Sequence, residues 1–191
     1  MTSDLPRPVS ASRSEMVELV LPNDANPYGY IMGGRVMHLV DICGALAASR
    51  HAGGYVVTAS IDNLFFKRPI RVGDLIVLKA SVNLVHRTSM EVGVKIWGEE
   101  ILTQRRFHTG SAYVTYVHMA GADFRPEEVP GLILETDEDR RRNAEAQERR
   151  RLRLALREST EARRSGPEDP SLRPARGSAE RPLDGTEFPN P

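Results

Sequence analysis

The chain has 191 residues, 26 of them basic and 26 acidic, so its formal net charge is zero and no global field draws it to nucleic acid or an anionic membrane. No apolar run approaches the roughly 20 residues that cross a bilayer. A single cysteine, Cys43, rules out an internal disulfide and fits a reducing compartment.

Residues 1–14 are polar and Pro-containing and read as a loose N-terminus; with no apolar signal-peptide core, they predict a cytoplasmic location. Met16–Leu21 is strand-like. A polar, Gly-rich loop, Asn26–Gly34, then runs into one long helix that begins at the paired glycines Gly33 and Gly34 and stops at Gly53-Gly54. Four strand-like runs follow: Tyr55–Phe66, Leu75–Val85, Ser89–Trp97 and Arg105–His118. Their alternation marks a sheet with one buried face, as in Met90, Val92, Val94 and Ile96. The runs are closely spaced, which predicts antiparallel pairing of neighbours in chain order.

After Pro130 the composition turns charged. Thr136 is the expected N-cap of a helix over 136–158, with acids in its first turn. Residues 159–191 are rich in Pro, Arg, Glu, Ser and Gly, which predicts a disordered tail. The domain proper is thus expected over 15–158, in the α+β class: one long antiparallel sheet wrapped around a central buried helix.

Asp41 stands in the middle of that helix, among Met37, His38, Gly44 and Ala45. A carboxylate among apolar neighbours is costly unless it is paired or put to use. The helix start adds free backbone N–H groups, and the loop before it adds the amide side chain of Asn26. These are parts from which a small hydrolytic site can be assembled. Cys43 is either a small core residue or a nucleophile, and its own segment holds no activating base. The arginine runs 140–142 and 149–151 are interleaved with acids and read as a salt-bridged helix face.

The ordered series Asn26-x-x-Gly29, Gly33-Gly34, Asp41, Val57-Thr58-Ala59-Ser60, Phe66-x-x-Pro69-Ile70-x-Val72-Gly73-Asp74 and Arg87-Thr88-Ser89-Met90-Glu91-Val92 resembles the hotdog-fold acyl-CoA thioesterases, most of all their bacterial and mitochondrial acyl-CoA hydrolase branch. The resemblance implies a hotdog fold in which two subunits join edge to edge, so a homodimer is the minimum and a trimer of dimers is expected. It implies acyl-CoA as substrate, hydrolysed to free acid and CoA without a cofactor, a metal, nucleic acid or a membrane. It makes Asp41 the general base or the nucleophile. It makes Asn26 a contribution of the partner subunit, and the N–H groups around Gly33, Gly34 and Arg35 an oxyanion hole. Thr58 would either bond near the reacting water or simply pack. Arg87, Thr88 and Ser89 would meet CoA, with His51, Lys67 and Arg68 as further surface cations.

Two other readings compete. One is an acyl-CoA-binding hotdog sensor without turnover, which would need neither Asp41 nor Asn26. The other is a hotdog dehydratase, whose Asp/His pattern His38 does not match well.

Overall fold

The computed structural model describes residues 5–62, 64–120 and 124–164. In chain order the elements are β1 (Arg7–Pro8), α1 (Val9–Ser12), β2 (Ser14–Leu19), a 3-10 turn (Pro22–Asp24), α2 (Gly33–Ala52), β3 (Tyr55–Ile61), β4 (Leu75–Val85), β5 (Ser89–Glu100), β6 (Arg105–Ala120), β7 (Arg125–Pro126), β8 (Leu132–Ile133) and α3 (Asp137–Arg164). The chain divides into two units, Met1–Arg150 and Arg151–Pro191.

The main sheet runs β2-β4-β5-β6-β3, with β7 beside β6. Every pairing in it is antiparallel. Chain-order pairing therefore holds for β4, β5 and β6 but not for β3, which pairs with β6 rather than β4. The reason is α2. It packs across the concave face, so β2 and β3, on either side of it in sequence, lie on opposite edges of the sheet.

Inward residues of β4 (Ile76, Leu78, Ala80, Val82), β5 (Met90, Val92, Val94, Ile96) and β6 (Ala112, Val114, Tyr116) form one core with Val36, Leu39, Val40, Cys43, Ala47 and Ala48 of α2. Period two on the strands meets a helical stripe. Small helix residues let α2 sit close to the sheet. α2 ends where expected, on Gly53 at φ 76°, a left-handed position that favours glycine.

Three expectations need correction. Residues 7–12 are not loose: β1 pairs with β8, Val9 and Ser12 are buried, and the Ser12 hydroxyl accepts the Val82 N–H at 3.0 Å. Arg7 donates to the carbonyls of Arg50 and His51 at 3.1 and 2.9 Å, closing the end of α2. A polar, proline-bearing segment can be ordered when its polar groups satisfy helix ends and strand edges. Second, β3 ends at Ile61, short of Phe66. Third, α3 continues past Glu158 to Arg164, because arginine, leucine, glutamate and alanine all favour helix. The expected tail over 165–191 lies outside the described residues.

The first turns of α3 dock on the convex face of the sheet. Thr136 Oγ1 accepts the Asp139 N–H and Asp139 Oδ2 accepts the Thr136 N–H, a reciprocal cap. Further along, Arg149 reaches buried Glu91 at 2.7 Å and lies 3.5 Å above the Tyr113 ring.

Candidate active site

Asp41 sits at the middle of α2 and is half-buried rather than buried. The helix is not covered all round: Met37, His38, Ile42 and Leu46 are exposed along one face, where the chain itself supplies no lid among the described residues.

Two hydroxyls hold Asp41. Thr58 Oγ1, on β3, donates to its Oδ1 at 2.5 Å. A bulge between Thr58 and Ser60 breaks the β3–β6 register here, and bulges re-aim side chains. From below, the Tyr116 hydroxyl donates to the Asp41 main-chain carbonyl at 2.8 Å and lies 3.5 Å from Oδ1. Burial first, and then the Asp41 charge, push the Tyr116 phenol far above its ordinary value, so it keeps its proton. Tyr116 reaches the helix backbone because Gly44 leaves a notch; a Cβ at Gly44 would collide with its hydroxyl.

The start of α2 is open. Met32 at the N-cap gives no side-chain bond, and the first turn carries no acid. The Phe66 ring covers Gly33, while Gly34 faces open space. The Arg35 side chain turns away, pairing with Glu18 at 2.8 Å and Asp24 at 3.0 Å, which ties the helix start to β2 and to the loop. An uncapped helix N-terminus with exposed backbone donors favours negative charge.

Asn26 Oδ1 accepts the N–H groups of Tyr28 and Tyr30 at 3.0 and 3.2 Å. The carboxamide is thereby fixed through its oxygen, and its NH2 remains the end that can donate. Among the described residues no hydrogen bond joins Asn26 to Asp41. Arg87 and Thr88 lie in the β4–β5 turn, and Ser89 opens β5. The turn is anchored through the main chain, with His118 N–H to the Thr88 carbonyl and Val129 N–H to the Arg87 carbonyl, both at 3.0 Å. Within the described chain these main-chain bonds tie the turn to β6 and to the segment before α3, and the bonds that hold Asp41 come from β3 and β6 instead.

His51 is not a surface cation. It is fully buried, and its Nε2 donates to the Pro130 carbonyl at 3.0 Å. Lys67 and Arg68 are exposed. Cys43 is fully buried, and burial pushes its thiol up to about 11, which favours the core reading over the nucleophile. Among the described residues no group of His, Cys, Asp and Glu could hold a metal, and no helix is long and apolar enough to cross a membrane.

Sequence reasoning missed Tyr116 and Gly44. Each left a signal: a tyrosine at an inward position of β6, and a glycine inside a helix, where it costs about 1 kcal/mol relative to alanine unless close packing requires it. Two cavities, of about 580 and 660 Å³, lie elsewhere. One is lined by Trp97 and Tyr113 beside α3, the other by Arg71, Gly73 and Phe107, and neither includes Asp41, Thr58 or Asn26. In a single chain the carboxylate faces an open surface.

A family model described as "Thioesterase superfamily" matches residues 28–104. The chain is 39% identical to mouse acyl-coenzyme A thioesterase 11 over 149 residues, 77% of this chain and 25% of that protein. It is 36% identical to protein VdlD of Helicobacter pylori over 138 residues, 72% of this chain and 78% of that one. The mouse cytosolic acyl coenzyme A thioester hydrolase is also long, and the chain spans 38% of its length.

Among solved structures, an acyl-CoA hydrolase from Staphylococcus aureus in complex with butyryl coenzyme A, coenzyme A and coenzyme A disulfide superposes with a TM-score of 0.76 at 31% identity, over 82% of this chain and 94% of that one. Single-alanine mutants of that hydrolase have been solved at one asparagine, one aspartate and one threonine. A structure described as an apo-hexameric acyl-CoA thioesterase superposes with a TM-score of 0.74 at 39% identity, over 80% of this chain and 99% of that one.

Proposed function

The chain belongs to the hotdog-fold acyl-CoA thioesterase family, and from that premise we propose that it hydrolyses acyl-CoA to free acid and CoA with Asp41 as the reacting carboxylate. The observation that carries this is the held geometry of Asp41. Its Oδ1 is fixed by Thr58 and flanked by Tyr116. That leaves Oδ2 for a water or a thioester carbonyl.

The mutated Staphylococcus aureus positions give independent support. Their asparagine and aspartate are fifteen residues apart, and their aspartate and threonine seventeen. Asn26, Asp41 and Thr58 stand at the same two intervals.

In this reading water adds to the thioester carbon, the C–S bond breaks, and the proton taken from water ends on the CoA thiolate. Asp41 carries that proton as general base, or attacks the carbonyl carbon first, expelling CoA thiolate and leaving an acyl–aspartyl anhydride that water then hydrolyses. The backbone N–H groups of Gly34 and Arg35 stabilise the oxyanion, aided by the positive end of α2. Asn26 comes from a second copy and donates through its NH2. That same copy covers the exposed face of α2 and turns an open surface into a pocket. A structural relative described as hexameric supports assembly of several copies; the dimer as minimum and the trimer of dimers as the full form are part of the proposal. Arg87, with Thr88 and Ser89, is assigned to the CoA phosphates. A cytoplasmic location is part of the proposal.

The test is free-thiol release from short-, medium- and long-chain acyl-CoAs, wild type beside Asp41→Asn. Turnover by the wild type that falls about a thousandfold or more in the variant is the expected result. A variant as active as the wild type would remove Asp41 from the chemistry. Acyl-CoA binding by the wild type with no turnover would favour the sensor reading instead.

A further inference from the structure

We propose that Tyr116 is a positioning residue for Asp41, acting through the notch at Gly44, and that it makes Oδ2 the working oxygen of the carboxylate. This inference rests on the reading of Asp41 given above.

Tyr116 is fully buried on β6, yet its hydroxyl emerges at the backbone of α2, one helical turn from Gly44. The Asp41 carbonyl already belongs to the helix ladder, so the hydroxyl is a second donor to it. The carbonyl's second lone pair satisfies the buried hydroxyl, and the same bond fixes the distance between sheet and helix at the reacting residue. The same hydroxyl lies 3.5 Å from Oδ1, on the oxygen that Thr58 already binds. Both hydroxyls therefore sit on one side of the carboxylate. Both recorded contacts of the carboxylate are thus to Oδ1, which leaves Oδ2 as the oxygen for the reaction.

The experiment compares kcat and KM for wild type, Tyr116→Phe, Gly44→Ala, the double variant and Asp41→Asn, all in the intact chain. Tyr116→Phe is expected to lower kcat about tenfold with KM within a factor of about two, the split that a misplaced carboxylate gives and a loss of substrate binding does not. Gly44→Ala keeps the hydroxyl but displaces it, and should reproduce the same changes. In the Tyr116→Phe background the added methyl should cost much less, because the atom it strikes is gone.

If Asp41→Asn is inactive while Tyr116→Phe keeps the wild-type kcat, the positioning role is refuted and the thioesterase reading stands. If Asp41→Asn is as active as wild type, both fall together. A Tyr116→Phe variant that fails to fold leaves Gly44→Ala to decide: an unchanged kcat there overturns the inference.

Discussion

At the residue scale, the site is a carboxylate whose two oxygens are made unequal by their donors. Thr58 binds Oδ1 at 2.5 Å, and a hydrogen bond to a charged group contributes about 1.5–3 kcal/mol. Thr58→Val should therefore lower kcat by roughly ten- to a hundredfold, with the oligomer intact by size-exclusion chromatography. Asn26→Ala should cost roughly one to three orders of magnitude, the effect of losing one polarising contact. A loss below twofold in either variant would remove that side chain from the site. Cys43 gives a prediction of opposite character. Its native thiol is pushed to about 11 from an ordinary 9.0, so the unfolded chain loses that proton first. The folded state's advantage from this burial is therefore complete below pH 9 and declines as pH rises toward 11. A thiol reagent at pH 8 should leave the folded protein unlabelled and label it fully in denaturant.

At the element scale, α2 is the spine of the domain, and its two ends behave differently. The start is left uncapped. The far end is closed by Arg7 and by His51, whose Nδ1 is buried without a hydrogen-bond partner. Burial lowers the His51 pKa below 6.5, so the folded state holds it neutral. The unfolded state binds the extra proton first as pH falls, so this stability is present above about 6.5 and lost below it. The urea midpoint should drop between pH 7 and 5, and the drop should be smaller in His51→Gln. On the outer face, Arg149 offsets the buried charge of Glu91. Arg149→Met should destabilise the fold by about 3 kcal/mol, since it strands that charge. These elements were unequally legible. The limits of β4 could be read from clean alternation over Leu75–Val85, and α2 from its bounding glycines. The partner of β3 could not, because strand order depends on where the helix lies, and the alternation of β3 is the same beside any neighbour. Tyr116 escaped for a related reason: its role exists only where β6 crosses under Gly44, and nothing local in β6 encodes that crossing.

At the scale of the whole molecule, the exposed face of α2 and the edge strand β3 form one apolar region, with Ile42, Leu46, Tyr55, Val57 and Ile61 all accessible. The proposed assembly covers it. Val57→Glu should give a smaller species by light scattering and lose thioesterase activity together with assembly; activity retained in a monomer would place the whole site within one chain. The opposite end of the molecule carries a more practical lesson. The family match begins at residue 28, and a boundary drawn from composition falls near residue 15. A recombinant fragment cut at either point would delete the guanidinium that closes α2, the buried side chain of Val9 and the hydroxyl that receives the Val82 N–H. Expression clones should start ahead of Arg7, and an affinity tag placed there needs a spacer, because those few residues are a strap that the domain wears from outside.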